Sequence, residues 1–250
     1  MTRWKLTVEY DGAPYSGWQY QDHVPSVQGA IEKAIKGFCQ KDIRIHVAGR
    51  TDAGVHGKGQ VAHFDLDYGT RPLTGHNLAK AINAYLHQAK ESVAILKAEE
   101  VSEEFHARFS AINKFYLYRI MNRPAPLTLE RGKAWQVKKE LDVRSMQRAA
   151  KYLLGQHDFT TFRDSECQAK SPVKTLDRLD IVRIGDAVEF AVEGRSFLHH
   201  QVRNMVGTLS HVGEGKWTIE DIPKALEARD RTKGGVTAPP DGLYLMRVDY

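Results

Sequence analysis

Leu6, Val8 and Tyr10 alternate with Lys5, Thr7 and Glu9 near the start of the chain. A period of two places each set on one face of a strand, and Asp11-Gly12 supplies the turn that ends it. The period then changes. Val27, Ile31, Ile35 and Phe38 recur at helical spacing behind Ser26, whose hydroxyl is suited to cap the first turn. Ile43, Ile45 and Val47 alternate again, and after a glycine-rich stretch so do Ala62, Phe64 and Leu66. Leu78, Ala81, Ile82 and Tyr85 share one helical face, and a strand spans Val93 to Val101. This part of the chain predicts the order β-α-β-β-α-β.

The order repeats without visible repetition of sequence. Phe115 to Met121 forms a strand, and Asp142 caps a helix carrying Met146, Ala149, Ala150 and Leu153, stopped by Gly155. Leu179 to Ile184, a Gly185-Asp186 turn, and Val188, Phe190 and Val192 make a hairpin. Leu198, Val202, Met205, Val206 and Leu209 mark a helix, a shorter one follows Thr218, and Leu243 to Val248 is the last strand. The fold class expected is α+β: two ferredoxin-like β-α-β-β-α-β halves whose antiparallel sheets merge into a central sheet. Strand periodicity lapses near residues 102–112, so the halves are placed at 1–104 and 105–250.

Composition adds limits. With 250 residues, 42% hydrophobic and 27% charged, the chain is long enough for a sizeable core. No apolar run approaches the roughly 20 residues that span a bilayer, and Met1-Thr2-Arg3-Trp4-Lys5-Leu6 has no apolar signal region. Cys39 and Cys167 form neither a disulfide framework nor a thiolate zinc motif, so the expected location is the cytoplasm. A net charge of +5, shared between both halves, suits a polyanionic partner such as nucleic acid.

The segment from Ala48 to Gln60 holds Gly49, Gly54, Gly57 and Gly59 between two strands, with Arg50, Asp52 and His56 among them. Charged groups on a tight loop are a common way to present chemistry from a rigid scaffold. On spacing alone, a surface hairpin in which Asp52 merely caps the turn fits equally well. A phosphate-cradling P-loop does not fit, because Val55 stands where Lys is required.

Gly49-Arg50-Thr51-Asp52-Ala53-Gly54-Val55-His56, continuing to Gln60-Val61-Ala62-His63-Phe64, resembles the signature of the tRNA pseudouridine synthase A family, the tRNA pseudouridine(38-40) synthases. Tyr10-Asp11-Gly12 with Gly17-Trp18-Gln19 is similar to that family's first block. Phe105 to Ser110 followed by Lys114 to Tyr118 is similar to its central block, Ser196 to Gly207 to its third, and Ala238 to Leu243 to its last. Phe115 departs from the family, which often has a polar or charged residue there. The resemblance covers the whole chain in five ordered blocks.

That resemblance implies the pseudouridine synthase fold and an isomerase that converts uridine to pseudouridine at positions 38, 39 and 40 in the anticodon stem-loop of tRNA. It implies a homodimer, no cofactor, and no metal or membrane in the chemistry. Asp52 matches the catalytic carboxylate. It could add to the base, attack the sugar or remove a proton, and each route needs it ionised in a closed pocket. Arg203 matches the arginine that pairs with it, where a bidentate contact would orient Asp52 and lower its pKa. Tyr116 matches the tyrosine stacked on the target base. Arg50 is a candidate to fill the space of a flipped base or to hold a phosphate, and His56, Lys58 and Arg108 are further candidates for binding the tRNA. Without the family match, Arg203 reads as an exposed helix arginine, Arg50 as a loop arginine and Tyr116 as a core residue; Tyr118 keeps that core reading.

Two rival classes carry distinct signs. A non-catalytic RNA-binding module would have no use for Asp52, Tyr116 and Arg203 together. A metal-dependent nuclease would need ligand spacing among His56, His63, His106, His199 and His200, and none shows it. On one helix His199 and His200 would point about 100° apart.

Overall fold

The structure, a computed structural model, describes residues 1–69 and 72–250. Strand β1 (Thr2–Tyr10) leads into helix α1 (Val27–Cys39), then β2 (His46–Val47) and β3 (His56–Leu66). Helix α2 (Gly75–Gln88) and β4 (Val93–Val101) follow, then β5 (Asn113–Asn122) and β6 (Trp135–Val137). Helix α3 (Val143–Ala150) precedes a small antiparallel pair, β7 (Gly155–Asp158) with β8 (Val173–Leu176). The chain continues through β9 (Arg178–Ile184), β10 (Ala187–Gly194), α4 (Gln201–Gly213), α5 (Asp221–Ala228) and β11 (Leu243–Asp249). Two compact units result: Met1–Ile112 with Tyr244–Tyr250, and Asn113–Leu243. Both are α+β, with mainly antiparallel strand pairing.

In the first unit β1 lies between β3 and β4, antiparallel to both. The register Trp4↔Phe64 and Leu6↔Ala62 lines these residues along one face. Val27, Ile31 and Ile35 of α1, with Leu78, Ile82 and Leu86 of α2, complete a single core with them. Each such side chain contributes roughly 1.5–3 kcal/mol of transfer free energy. Ser26 caps α1 as its position predicts, accepting the Gly29 amide at 3.2 Å.

The far edge of β3 is shared. β2 pairs antiparallel through His46↔His63 and Val47↔Ala62, whereas β11 pairs parallel through Tyr244↔His56 and Leu245↔Gly57. β11 therefore groups with the first unit, although periodicity attaches it to the second half.

Three local readings differ from the pattern. Ile43 and Ile45 both lie outside the short β2. Tyr85 is exposed, and Leu86 takes the buried position instead. β3 begins at His56, inside the stretch read as a loop, because Gly57 lies against the Tyr10 ring; a Cβ there would stand 2.4 Å from a ring carbon. Glycine in that register signals a close approach and not a loop.

In the second unit β10 lies between β5 and β9, antiparallel to both, and β6 pairs parallel with β5. Asp142 caps α3 by accepting the Ser145 amide at 3.1 Å. The helix tightens after Ala150 into a single 3-10 turn, Lys151–Leu153, ahead of Gly155. Val202, Met205, Val206 and Leu209 face inward from α4 and are buried. Leu198 is buried too, but in the turn before α4.

Candidate active site

The Gly49–Asp52 loop of the first unit is tied down from several sides. Gln60 Nε2 donates to the Gly49 carbonyl at 2.9 Å, and the Trp18 amide donates to the Thr51 carbonyl at 3.0 Å. The Tyr10 hydroxyl is 2.8 Å from Thr51 Oγ1. The Val55 amide returns to the Asp52 carbonyl at 3.2 Å, closing the turn that presents Asp52. Asp52 itself is half-buried, whereas Arg50 and Lys58 are exposed. These anchors explain the first block of the resemblance: Tyr10 and Trp18 contact Thr51, and Gly12 packs on Val55.

Electrostatics follow the same geometry. Burial pushes the Tyr10 phenol up to about 12; the Thr51 and Gln60 side chains oppose this, and the Asp52 charge adds to it. An Asp52 carboxylate is thus felt by a buried hydroxyl on the floor of its own loop.

His56 is buried, stacked on Tyr244 with ring centroids 4.7 Å apart. Its Nδ1 lies 3.1 Å from the Gly12 amide and 3.0 Å from an Asp11 carboxylate oxygen, so it ties the Asp11-Gly12 turn to the start of β3. Lys58 Nζ stands 5.8 Å over the Tyr244 ring. Arg108 is exposed beside Phe109, in a segment held by Arg3, which pairs with Asp65 at 2.7 and 2.8 Å and donates to the Phe105 carbonyl at 3.0 Å.

In the second unit Arg203 is half-buried on α4. Its Nε donates to the Ala238 carbonyl at 2.7 Å, and the Ala238 amide returns to the Arg203 carbonyl at 3.2 Å. One turn of helix and the segment before Pro239 therefore fix each other. Asn204 extends that lock: it donates to the Phe162 carbonyl at 2.9 Å and accepts from Thr237 at 2.7 Å and Arg231 at 3.1 Å. Tyr116 on β5 is half-buried with its ring edge-on to Phe197 at 5.2 Å. Tyr118 is fully buried, donates to the Pro239 carbonyl at 2.7 Å, and is a core residue as its pattern suggests. Burial raises its pKa, Arg203 opposes that and Asp241 reinforces it.

His199 and His200 depart from the helical placement. Both precede α4, with His200 in the left-handed region at φ 61°, so no helical rotation separates them. Their rings lie 4.0 Å apart and turn toward one carboxylate: His200 Nδ1 is 2.7 Å and His199 Nδ1 3.7 Å from Asp164 oxygens. Burial opposes the Asp164 charge, but the Glu166 amide and His200 hold its carboxyl below the ordinary range. Sequence reasoning passed over Asp164, which lies 36 residues from His200 without local periodicity to flag it.

Comparison with known proteins places the chain in a family. Residues 6–110 and 149–250 match the family model described as tRNA pseudouridine synthase. The chain belongs to that family, and it is an isomerase. It is 57% identical over 250 residues to the tRNA pseudouridine synthase A of Rhodopseudomonas palustris (strain HaA2), covering all of both chains. Against the protein of that name from Methylocella silvestris it is 57% identical, over all of this chain and 99% of the other. For Rhizobium meliloti (strain 1021) the figure is 56%, over the full length of both. A solved Cbf5-Nop10-Gar1 complex aligns with 96% of this chain and 57% of that chain, at 12% identity and a TM-score of 0.36. Among the described residues, no helix is long and apolar enough to cross a membrane.

Proposed function

We propose that this protein isomerises uridine to pseudouridine at positions 38, 39 and 40 in the anticodon stem-loop of tRNA, with Asp52 as the catalytic carboxylate. The observation that carries the reading is the pinned loop: an acidic side chain on a turn anchored by buried hydrogen bonds, next to the exposed Arg50. The N1–C1′ bond of the nucleoside breaks, a C5–C1′ bond forms, and the proton lost from C5 is balanced by one gained at N1. Atoms and electrons close without a redox partner, so the proposal includes no cofactor.

Each residue then has a task. Asp52 acts as nucleophile or base and must stay ionised out of bulk water, which calls for a cation; Arg203 is proposed for that role. Tyr116 stacks on the extruded base, and Arg50 occupies the gap it leaves or holds a phosphate. Lys58 and Arg108, both exposed, suit contacts to the tRNA backbone, whereas His56, a candidate for binding tRNA on sequence grounds, is buried and suits instead the tying of the Asp11-Gly12 turn to β3. The family resemblance supports a homodimer gripping one tRNA across both subunits, working in the cytoplasm where that substrate is found.

The test is pseudouridine mapping in tRNA from a host lacking this protein, with the wild type or Asp52→Asn restored. The amide keeps the shape of the loop but is neither nucleophile nor base. Wild type should restore the modification at positions 38–40, and Asp52→Asn should not, while tRNA binding by the purified variant stays within about tenfold. Ready turnover by Asp52→Asn would remove Asp52 from the chemistry, and restoration at other positions would overturn the substrate assignment.

A further inference from the structure

Three polar side chains in and beneath the Asp52 loop are almost wholly removed from solvent: Thr51 of the loop at 6% exposure, and Tyr10 at 4% and Gln60 at 0% below it. Polar groups are buried at a cost unless hydrogen-bonded, and a hairpin loop on a surface needs no such floor. Gln60 Oε1 accepts the neighbouring Val61 amide at 3.1 Å, and the other polar contacts are directed at the loop. Gln60, beside the Tyr10 phenol, holds the Gly49 carbonyl; Tyr10 meets Thr51 Oγ1; and the Trp18 amide holds the Thr51 carbonyl. Gly49 and Thr51 flank Arg50, and Thr51 is joined directly to Asp52.

The anchors come from opposite strands. Tyr10 ends β1, Gln60 lies in β3, and the two strands are hydrogen-bonded neighbours with a register shift just before Tyr10. That irregularity sets Tyr10 opposite Gly57, where the missing side chain leaves room for its ring. The sheet thereby sends one hydroxyl up to the residue preceding Asp52.

We propose that the Tyr10 hydroxyl, through Thr51 and with Gln60 beside it, is a positioning device that holds Asp52 and Arg50 in their working poses. The inference rests on the reading of Asp52 as the catalytic carboxylate. Tyr10 touches no reacting atom; it acts through Thr51. Reaction geometry is demanding enough that a displacement near 1 Å lowers rates by about 10²-fold. Loss of the hydroxyl pair therefore slows the chemical step without removing any cationic contact to tRNA.

The experiment compares Tyr10→Phe, Thr51→Val, Thr51→Ser, the double variant Tyr10→Phe/Thr51→Val, and Asp52→Asn. Single-turnover rates are measured at saturating enzyme on an unmodified tRNA transcript, alongside tRNA dissociation constants. Tyr10→Phe and Thr51→Val should each slow the saturating rate by about 10- to 100-fold with dissociation constants within about threefold of wild type. Thr51→Ser keeps the hydroxyl and should stay near the wild-type rate. Because one hydrogen bond is removed either way, the double variant should be no slower than the worse single variant. A role in folding alone predicts wild-type rates from the folded fraction of each variant and no advantage of Ser over Val. Wild-type rates for both Tyr10→Phe and Thr51→Val, or losses that multiply in the double variant, overturn the proposal. If Tyr10→Phe does not fold, Thr51→Val against Thr51→Ser decides it alone. Turnover by Asp52→Asn would instead sink the underlying catalytic reading; an inert Asp52→Asn beside unaffected hydroxyl variants defeats the positioning role only.

Discussion

Acidification from pH 7 to pH 5 should destabilise the first unit through His63, with His106, also lowered by burial, acting in the same direction. The His63 ring on β3 is 3% exposed, and Nδ1 accepts the Ala107 amide at 3.2 Å. His106 meets it edge-on with centroids 4.7 Å apart, and His46 stacks on it at 5.1 Å. Burial, then the like charge of His106 and His46, then Arg3, lowers His63 to about 4, and Asp65 only partly opposes this. The unfolded chain takes up a proton near pH 6.5, whereas the folded one resists until about pH 4. The folded pKa is depressed, so the stability conferred by the neutral ring is complete above the unfolded value and is lost as pH falls through this window. Linkage between these two values gives a loss of about 2 kcal/mol from pH 7 to pH 5. Native-state hydrogen exchange of β1 and β3 amides, corrected for intrinsic rates at each pH, reports the opening free energy of this unit. His63→Gln keeps an acceptor for the Ala107 amide but does not titrate. The stability difference between wild type and His63→Gln should shift against the wild type by about 2 kcal/mol across the same range. Parallel pH profiles for the two proteins would refute the reasoning.

Other outcomes are equally direct. A Cβ at Gly12 would stand 2.0 Å from the Val55 carbonyl oxygen, so Gly12→Ala must push the Asp52 turn away from β1. The expected result is a loss of about 1–3 kcal/mol in stability and roughly 10²-fold in single-turnover rate, and wild-type values for both would contradict the packing. Arg203→Ala deprives Asp52 of its proposed cation, while Arg203→Lys keeps the charge without the planar fork. Saturating single-turnover rates should rank wild type above Lys above Ala, with the acidic limb of the pH profile moved to higher pH in both. An unchanged saturating rate and profile in Arg203→Ala, with weaker binding alone, would reassign Arg203 to a phosphate contact. Raising salt should lower tRNA affinity along a log–log line whose slope reflects several phosphate contacts, and a flat response in filter binding would rule out a phosphate-tracking surface.

What the sequence disclosed depended on how far apart the interacting residues lie. Ser26 and Asp142 bond amides three residues on, so both caps were legible from local pattern. The β9–β10 hairpin was legible for the same reason, its turn being two residues long. By contrast, the start of β3 was hidden because Gly57 answers to Tyr10, 47 positions earlier, and glycine read locally means a loop. β11 was recognisable as a strand, but its pairing with His56 and Gly57 has no signature in its own periodicity. His199 and His200 were displaced from helical geometry by a left-handed residue that no glycine announced. At the site, Asp52, Tyr116 and Arg203 were nominated by resemblance and Arg50 by its place two residues before Asp52, whereas the Tyr10–Thr51 bond was not foreseen, since a strand-end tyrosine reads as core.

The five blocks of the resemblance also acquire a physical division of labour. Within the first unit, Tyr10, Gly12 and Trp18 of the first block meet Thr51 and Val55 of the loop. Within the second, Arg203 of the third block exchanges two hydrogen bonds with Ala238 of the last, and Tyr118 of the central block reaches Pro239. Segments distant in sequence are thus paired supports, each steadying one proposed functional side chain: Asp52 in one unit, Arg203 in the other. Tyr10, Gly12, Trp18, Tyr118 and Ala238 therefore serve as supports in the blocks. Substitutions among them should divide by what they hold, with losses in rate where the support bears on Asp52 or Arg203 and losses in stability alone elsewhere. Tyr118→Phe is a clean instance, because it removes a buried donor from the Pro239 carbonyl and keeps the ring in place. It should lower stability by about 1–3 kcal/mol through the orphaned acceptor. If it also slows saturated turnover, the Pro239 segment transmits that loss to Arg203 through the paired Ala238 bonds, and Arg203→Ala should mask it.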